Sequence, residues 1–338
     1  MINKSLLIAE IGVNHNGDMQ LAKKMIDAAK SSGADAVKFQ TFTANDLVSG
    51  GTPKVHYQKS TTSPDESHYE MIKKLELKRE DHFLLKEYCE KVGIEFLSTP
   101  YDVHSAKFLH EELEVRLFKT ASADIVDLPL HRYIASTGKH SIVSVGMATL
   151  GEIEDVVNIY NNSGNQNLTL LHCVSNYPCA DESLNMNVLN TLRNAFQIPV
   201  GFSDHSVGYE AAVLSVAFGV TVIEKHFTLD KNLPGPDHMA SSTPKEFSSL
   251  KVAVRRAENM LGSPVKSCQE EERQMSFVSR KSIVAARYIP VGDIIQPRDL
   301  VLKRPGSGIK STFLDYFIGK EAKKEIQLDQ LISFEDIA

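Results

Sequence analysis

The sequence predicts an α/β chain in which a (β/α)8 barrel is followed by a small β-rich domain, and three observations carry that expectation. One phrase recurs through most of the chain: a short β-rich run, a polar cluster, then a helical segment. Eight such alternations suit a barrel of about 250 residues better than an open doubly wound sheet. The stretch from Ile198 to His226 reads strand, helix, strand, with an apolar segment free of alternation, Ala211 to Val220, as a buried helix. Such a unit enforces a parallel sheet with loops gathered at the carboxyl ends of the strands. Finally, the composition shifts after Leu261 to a polar stretch, GSPVKSCQEEERQ, and beyond it lies an internal repeat.

The eight runs are Leu6 to Glu10, Ala36 to Gln40, Glu95 to Thr99, Leu117 to Thr120, Ile142 to Val145, Leu168 to His172, Val200 to Phe202 and Val222 to His226. Helical patterns fall between them, among them Met19 to Ser32, Arg79 to Val92, Gly151 to Asn162 and Pro244 to Leu261, several opened by Asp, Ser or Thr as caps. The loop after the first run, Gly12-Val13-Asn14-His15-Asn16-Gly17, lacks the GxGxxG of a Rossmann-type sheet. One connection, Thr41 to Glu80, is unusually long and carries Gly50, Gly51, Pro53, His56, Pro64 and His68 before a helical-looking segment from Tyr69 to Leu77. Long connections in compact folds are commonly lids or binding loops, so a cover over a site is expected here.

Residues 1–264 are therefore expected to form the barrel, 265–280 a linker and 281–338 the small domain. Within the last, Arg287 to Leu300 and Lys324 to Ile337 match in phase, pairing Ile289 with Ile326, Ile295 with Ile332 and Asp299 with Asp336. Two copies of one β-turn-β phrase suggest a pseudo-symmetric unit that is too small to bury much core of its own.

The chain has 338 residues and a formal net charge of -6, with its basic residues dispersed, which excludes a nucleic-acid footprint. No apolar run approaches a membrane span, and a soluble, cytoplasmic protein is expected. Cys89, Cys173, Cys179 and Cys268 form neither a CxxC nor a dense framework and read as reduced core thiols, with Cys173 nearest the candidate site.

The seventh and eighth runs each stop on a polar cluster that holds a histidine, Ser203-Asp204-His205 and Glu224-Lys225-His226, so the two imidazoles can be neighbours at the strand ends. Side chains alternate along a strand, so an inward His226 brings Glu224 with it, and Lys38 pairs likewise with Gln40. The same rule can place Glu10 and Lys119 inward. Two lysines and two carboxylates can form an internal salt-bridge layer. Alternatively, with Thr99, Ser122, Ser175 and Ser203, they can make an anion site for a small ligand carrying phosphate and carboxylate. Two neutral imidazoles with an open coordination sphere suit a transition-metal cation, with Mn or Mg plausible when oxygen donors complete it. A barrel metallohydrolase would commonly start with HxH on the first strand, which is absent.

The motifs EIGVNHNG (10–17), VKFQT (37–41), FLSTP (96–100), FKTASAD (118–124), LHCVSNYP, GFSDHS, EKHFT, PGPDH and KRPGSG together resemble the sialic acid synthase family along essentially the whole chain. Members condense phosphoenolpyruvate with an N-acylated mannosamine-type sugar. The resemblance implies a TIM barrel followed by an antifreeze-like (SAF) domain, and a homodimer in which that domain covers the partner's barrel. It implies His205 and His226 as ligands of a divalent metal, Mn2+ first and Mg2+ or Co2+ next. Lys38, Thr99, Lys119, Ser122, Ser175 and Ser203 become phosphoenolpyruvate contacts. Glu10, Asp124, Tyr177 and Asp237 become catalytic or sugar-side groups, and Arg304 becomes an arginine delivered to the acyl sugar. Asp124 stands where some members carry glutamate, and Ser175 where some carry asparagine. A pseudaminate-type or sugar-phosphate-using synthase, and a carbohydrate-binding protein without catalysis, are the alternatives. The acceptors in view are N-acetylmannosamine, its 6-phosphate and a 2,4-diacetamido-trideoxy analogue.

Overall fold

A computed structural model describes residues 4–49, 51–54, 58, 62–63 and 65–338. It divides into two compact units, Met1–Gly262 and Ser263–Ala338.

The described residues of the first unit form eight parallel strands: β1 (Leu6–Gly12), β2 (Ala36–Thr41), β3 (Glu95–Pro100), β4 (Leu117–Thr120), β5 (His140–Ser144), β6 (Leu168–His172), β7 (Val200–Asp204) and β8 (Val222–His226). Their hydrogen-bonded order is β3-β2-β1-β8-β7-β6-β5-β4, and β3 and β4 pack side by side at the seam of a nearly closed barrel. Glu10 lies opposite Lys38 on one side and His226 on the other, so charged residues from three strands share one level of the ring.

Below that level the barrel is filled by Ile8, Ala36, Leu97, Ile142, Leu171 and Val222, all buried. Gly201 sits in this floor, where a Cβ would come within 2.7 Å of the Val222 carbonyl oxygen, so only glycine fits. Outward-facing strand residues such as Leu7, Ala9, Val37 and Phe39 pack against the surrounding helices in a second, larger core.

Local chemistry sets the helix starts. The Asp18 side chain accepts from the N–H groups of Gln20 and Leu21 and opens the helix Met19–Ser31. Reciprocal capping boxes, Thr149 with Glu152 and Thr243 with Glu246, open Leu150–Asn162 and Pro244–Leu261. The helix Arg79–Val92 ends on Gly93 in the left-handed region (φ 77°). The long connection after β2 contains the helix His68–Leu75, close to the expected segment, while Gly50, His56 and Pro64 of that loop lie outside the described residues.

The second unit is built on two antiparallel strands, β9 (Ser282–Ala285) and β10 (Leu300–Lys303). Ile289 and Ile326 form an antiparallel bridge and share a core with Ile283, Ile295, Phe317 and Ile332. The repeat is visible in its charges: buried Asp299 accepts from Arg287 Nε at 2.6 Å, and buried Asp336 from Lys324 Nζ at 2.9 Å. Each aspartate also accepts the backbone N–H three residues earlier, Gln296 at 2.8 Å and Ser333 at 2.6 Å. Residues 273–279 form a helix within the stretch read as linker. Cys268 is exposed, which corrects its reading as a core thiol: its flanks are polar and carry no apolar period, so nothing buries them. The other three cysteines are buried and free. Among the described residues no helix is long and apolar enough to cross a membrane.

Candidate active site

The carboxyl ends of the strands open into a cavity of about 380 Å³, and strand parity determines what reaches it. Glu10, Lys38, Gln40, Lys119, Ser144, Cys173, Ser203, Glu224, His205 and His226 all line it, joined by Ser122, Ser175, Tyr177 and Asp237 from the loops. The alternation that makes the floor apolar two residues earlier makes this level polar.

Its centre is a ring of four charges. Lys38 Nζ lies 2.8 Å from Glu10 and 3.6 Å from Glu224, and it donates to Thr99 Oγ1 at 3.0 Å. Lys119 Nζ lies 3.5 Å from Glu224 and donates to Ser144 Oγ at 2.7 Å and the Thr120 carbonyl at 3.0 Å. Glu224 also accepts from Ser203 Oγ at 2.9 Å. The two carboxylates are pushed apart: burial drives Glu10 up to about 7 against the pull of Lys38, whereas Lys119 and Lys38 outweigh burial at Glu224 and hold it well below the usual range. Burial lowers Lys119 against the attraction of Glu224. Lys38 is raised, because two carboxylates outweigh its burial.

Beside Lys119 the wall narrows into a small polar corner. The Gly146 N–H donates to Ser122 Oγ at 3.0 Å, and Ser122 Oγ lies 3.0 Å from Cys173 Sγ. A Cβ on Gly146 would fall 2.5 Å from Ser175 Oγ and 2.9 Å from both Ser122 Oγ and Cys173 Sγ, so the space in this corner depends on that glycine.

The imidazoles stand together across the cavity, with ring centroids 5.6 Å apart. His205 Nδ1 lies 2.7 Å from the Val174 carbonyl, which only an N–H can satisfy, so Nε2 carries the lone pair. Burial pushes His205 down to about 4, and burial with the neighbouring His205 pushes His226 well below its ordinary value, so both rings are neutral. His226 Nδ1 is buried without a hydrogen bond among the described residues, 3.9 Å from Asp237 Oδ2. Tyr177 closes over the pair, its ring 4.2 Å from His205 and edge-on to His226 at 5.3 Å. Two neutral nitrogens, one with a fixed lone pair and one unpartnered, fit a divalent cation. No group of three or more His, Cys, Asp or Glu among the described residues is arranged to hold one.

Two expected site residues of the first unit stand apart from the cavity wall. Thr99 touches the site through Lys38. Asp124 follows β4 but does not line the cavity; burial, then Asp127, pushes its carboxyl up to about 7, and Oδ2 is buried without a hydrogen bond among the described residues. Arg304 belongs to the second unit, where it is exposed and donates to the Ser279 carbonyl at 3.1 Å. Asp204, which the sequence crowds near the histidines, faces the opposite way and binds Lys225 at 2.8 Å, tying the β7 and β8 ends together. Ser144 and Gly146 are additions. Ile142 faces inward, so parity along β5 could have found Ser144, whereas the close approach at Gly146 has no sequence signal.

The NeuB family profile matches residues 25–266, and the SAF domain profile matches 280–338. The chain belongs to the NeuB family. It is 44% identical to the N,N'-diacetyllegionaminic acid synthase of Campylobacter jejuni over 98% of this chain and 99% of that one. Identity to the enzyme of the same name from Legionella pneumophila is also 44%, over 98% and 94%. Among solved structures, the N-acetylneuraminic acid synthetase of Leptospira borgpetersenii in complex with citrate superposes with a TM-score of 0.73 at 35% identity, covering 81% of this NeuB-family chain and 90% of that one.

Proposed function

We propose that this NeuB-family protein is a carbon-carbon bond-forming transferase that condenses phosphoenolpyruvate with an N-acylated mannosamine-type sugar to give a sialic-type nonulosonic acid and phosphate. The observation that carries the reading is the pair of lysines held between Glu10 and Glu224, beside two neutral imidazoles, in one cavity. A bare salt-bridge layer has no use for a glycine-dependent hollow ringed by Ser122, Cys173 and Ser175.

In this reading Lys38 and Lys119 take the carboxylate and phosphate of phosphoenolpyruvate, with Thr99, Ser122, Ser175 and Ser203 supplying hydroxyls around them. His205 and His226 would hold a divalent cation, with Mn2+ expected before Mg2+ or Co2+. Bound there, such an ion polarises the acceptor's aldehyde carbonyl. Tyr177 and Asp237, at the rim beside the imidazoles, orient the sugar. The enol carbon attacks the aldehyde carbon, water adds to the carbon bearing the phosphate oxygen, and phosphate leaves by carbon-oxygen cleavage. Glu10 orients that water, because it lines the cavity and Asp124 does not.

Arg304 reaches the acyl group from the neighbouring subunit of a homodimer. The reaction runs in the cytoplasm, where phosphoenolpyruvate is made and where the free cysteines stay reduced. Phosphate release from phosphoenolpyruvate by metal-stripped protein, with Mn2+ restored, tests the whole: release should require both the metal and an acyl sugar. Arg304→Ala should raise the KM of the sugar more than that of phosphoenolpyruvate, and equal rises would remove it from the site.

A further inference from the structure

Two loops meet beside the imidazoles: residues 13–17 (VNHNG) after β1, and residues 227–243 after β8, which carry PGPDH. Asp237 of the second loop lines the cavity, whereas Asn16 and His238 do not. Yet the chain on both sides of Asp237 is tied to the first loop. Asn16 Nδ2 donates to the Pro234 carbonyl at 2.8 Å and lies 3.3 Å from His238 Nε2. An amide NH2 can only donate, so Nε2 accepts and Nδ1 carries the proton of a neutral ring. Burial holds His238 at about 4, in keeping with that state. His238 Nδ1 then donates to Thr228 Oγ1 at 2.6 Å, and the Thr228 hydroxyl is left to donate to the Asp230 carbonyl at 3.0 Å. Asn14 Nδ2 donates to the Phe227 carbonyl and to Ser241 Oγ, both at 2.9 Å, and Ser241 Oγ donates to the Asp237 carbonyl at 2.7 Å.

The junction has no slack. A Cβ on Gly235 would fall 2.8 Å from His238 Cδ2 and 2.9 Å from Asn16 Oδ1. Asn16 holds φ 52°, a left-handed turn that asparagine adopts more readily than most residues. His238 and Thr228 are fully buried, so their hydrogen bonds to one another replace those to water and hold a single loop geometry.

We infer that Asn16 and His238 are positioning residues, a clamp between the two loops that sets where the Asp237 carboxylate stands beside His226. The inference rests on the synthase reading, in which Asp237 orients the sugar, and extends it to two residues that line no part of the cavity. Misplacing a positioned group by about 1 Å can cost about 100-fold in rate. Lys38 and Lys119 stand on β2 and β4, away from both loops, and should not feel the clamp.

The test is steady-state phosphate release with N-acetylmannosamine and a 2,4-diacetamido-2,4,6-trideoxy mannose-type sugar as acceptors, the faster of the two being used throughout. Asn16→Asp keeps the shape and the turn but cannot donate, and His238→Asn keeps a donor near Thr228 but is too short to reach Asn16. Each should lower kcat/KM for the acceptor by about 10- to 100-fold, leaving the KM of phosphoenolpyruvate within about 2-fold. A double-mutant cycle then asks whether the loss runs through Asp237. In the Asp237→Ala background either substitution should change kcat/KM by less than about 2-fold, because the group being positioned is gone. Losses that multiply in that background, or that fall equally on both substrates, would make the clamp a structural tie and overturn the inference while keeping the synthase. Single variants within about 2-fold of wild type would overturn it as well. No release from folded, metal-loaded wild type with either acceptor rejects the synthase reading and the positioning role with it. The split between the two substrates decides if Asp237→Ala is too slow to measure. Asn16→Gly, which keeps the turn and removes the tie without adding charge, replaces any variant that fails to fold.

Discussion

Glu224 is the carboxylate that both lysines share, and neutralising it is a direct test of the charged ring. Glu224→Gln keeps the shape and an acceptor for Ser203 but leaves Lys38 and Lys119 with Glu10 alone. Each lysine lies 3.5 to 3.6 Å from Glu224. A pair of unit charges at that range is worth about 5 kcal/mol at an effective dielectric near 20, before the cost of burying the carboxylate is set against it. Removing one partner of a buried pair costs about 3–5 kcal/mol, which for a unit of this size is a fall in Tm of roughly 6–20 °C. An anion lying on the lysines returns the lost negative charge, so added phosphoenolpyruvate should raise the variant's Tm by more than it raises that of wild type. Thermal unfolding of both proteins without metal, with and without phosphoenolpyruvate, reads both effects. A variant Tm within about 2 °C of wild type would refute the reasoning, as would a smaller ligand-induced rise.

Three further outcomes follow from other contacts. His226→Ala should abolish Mn2+ binding, read by titration calorimetry, and metal-dependent turnover, while Tm without metal stays at or above that of wild type because a buried, unpartnered nitrogen is removed. Gly146→Ala places a methyl against Ser175, Ser122 and Cys173, and steady-state kinetics should show the KM of phosphoenolpyruvate rising at least about 10-fold with the sugar KM nearly unchanged. His131 is held at about 4, chiefly by burial, so the folded protein carries it neutral. Its contribution is complete above the ordinary value of about 6.5 and is lost as pH falls toward 4, at up to about 1.4 kcal/mol per pH unit. Melting curves across that window should fall less steeply for His131→Gln.

The period of the chain made the fold legible. Eight β-rich runs landed on eight strands because each is apolar on both faces, as a strand enclosed by a barrel must be, and ends at a polar residue where the mouth begins. Parity then carried most of the site, since an inward His226 fixes Glu224, and an inward Lys38 fixes Gln40. It also explains the misplacement of Asp204, one residue out of phase with Ser203 and therefore on the helix side. Loop residues obey no such rule. Asp124 follows the end of β4, and motif matching alone put it in the cavity. The apolar cluster of Phe42, Met71, Leu75 and Tyr101 was hidden for the same reason: its members come from the separate connections after β2 and β3, and only the packed structure brings them together. In the second unit the matched phases of the repeat foretold the matched ion pairs, because a buried aspartate needs a cation at a fixed offset in each copy.

The barrel floor has a kinetic consequence. Packed with Ile8, Leu97, Ile142 and Leu171 and pinched at Gly201, it offers no rear exit, so every molecule enters and departs through the same mouth. Lys38 and Lys119 stand on the strands, deeper than the loop residues that ring the mouth, so whatever rests on them must arrive before the molecule that covers it. A sugar that docks early becomes a stopper, so excess acceptor should slow turnover, and raising the deeper substrate's concentration should relieve the block.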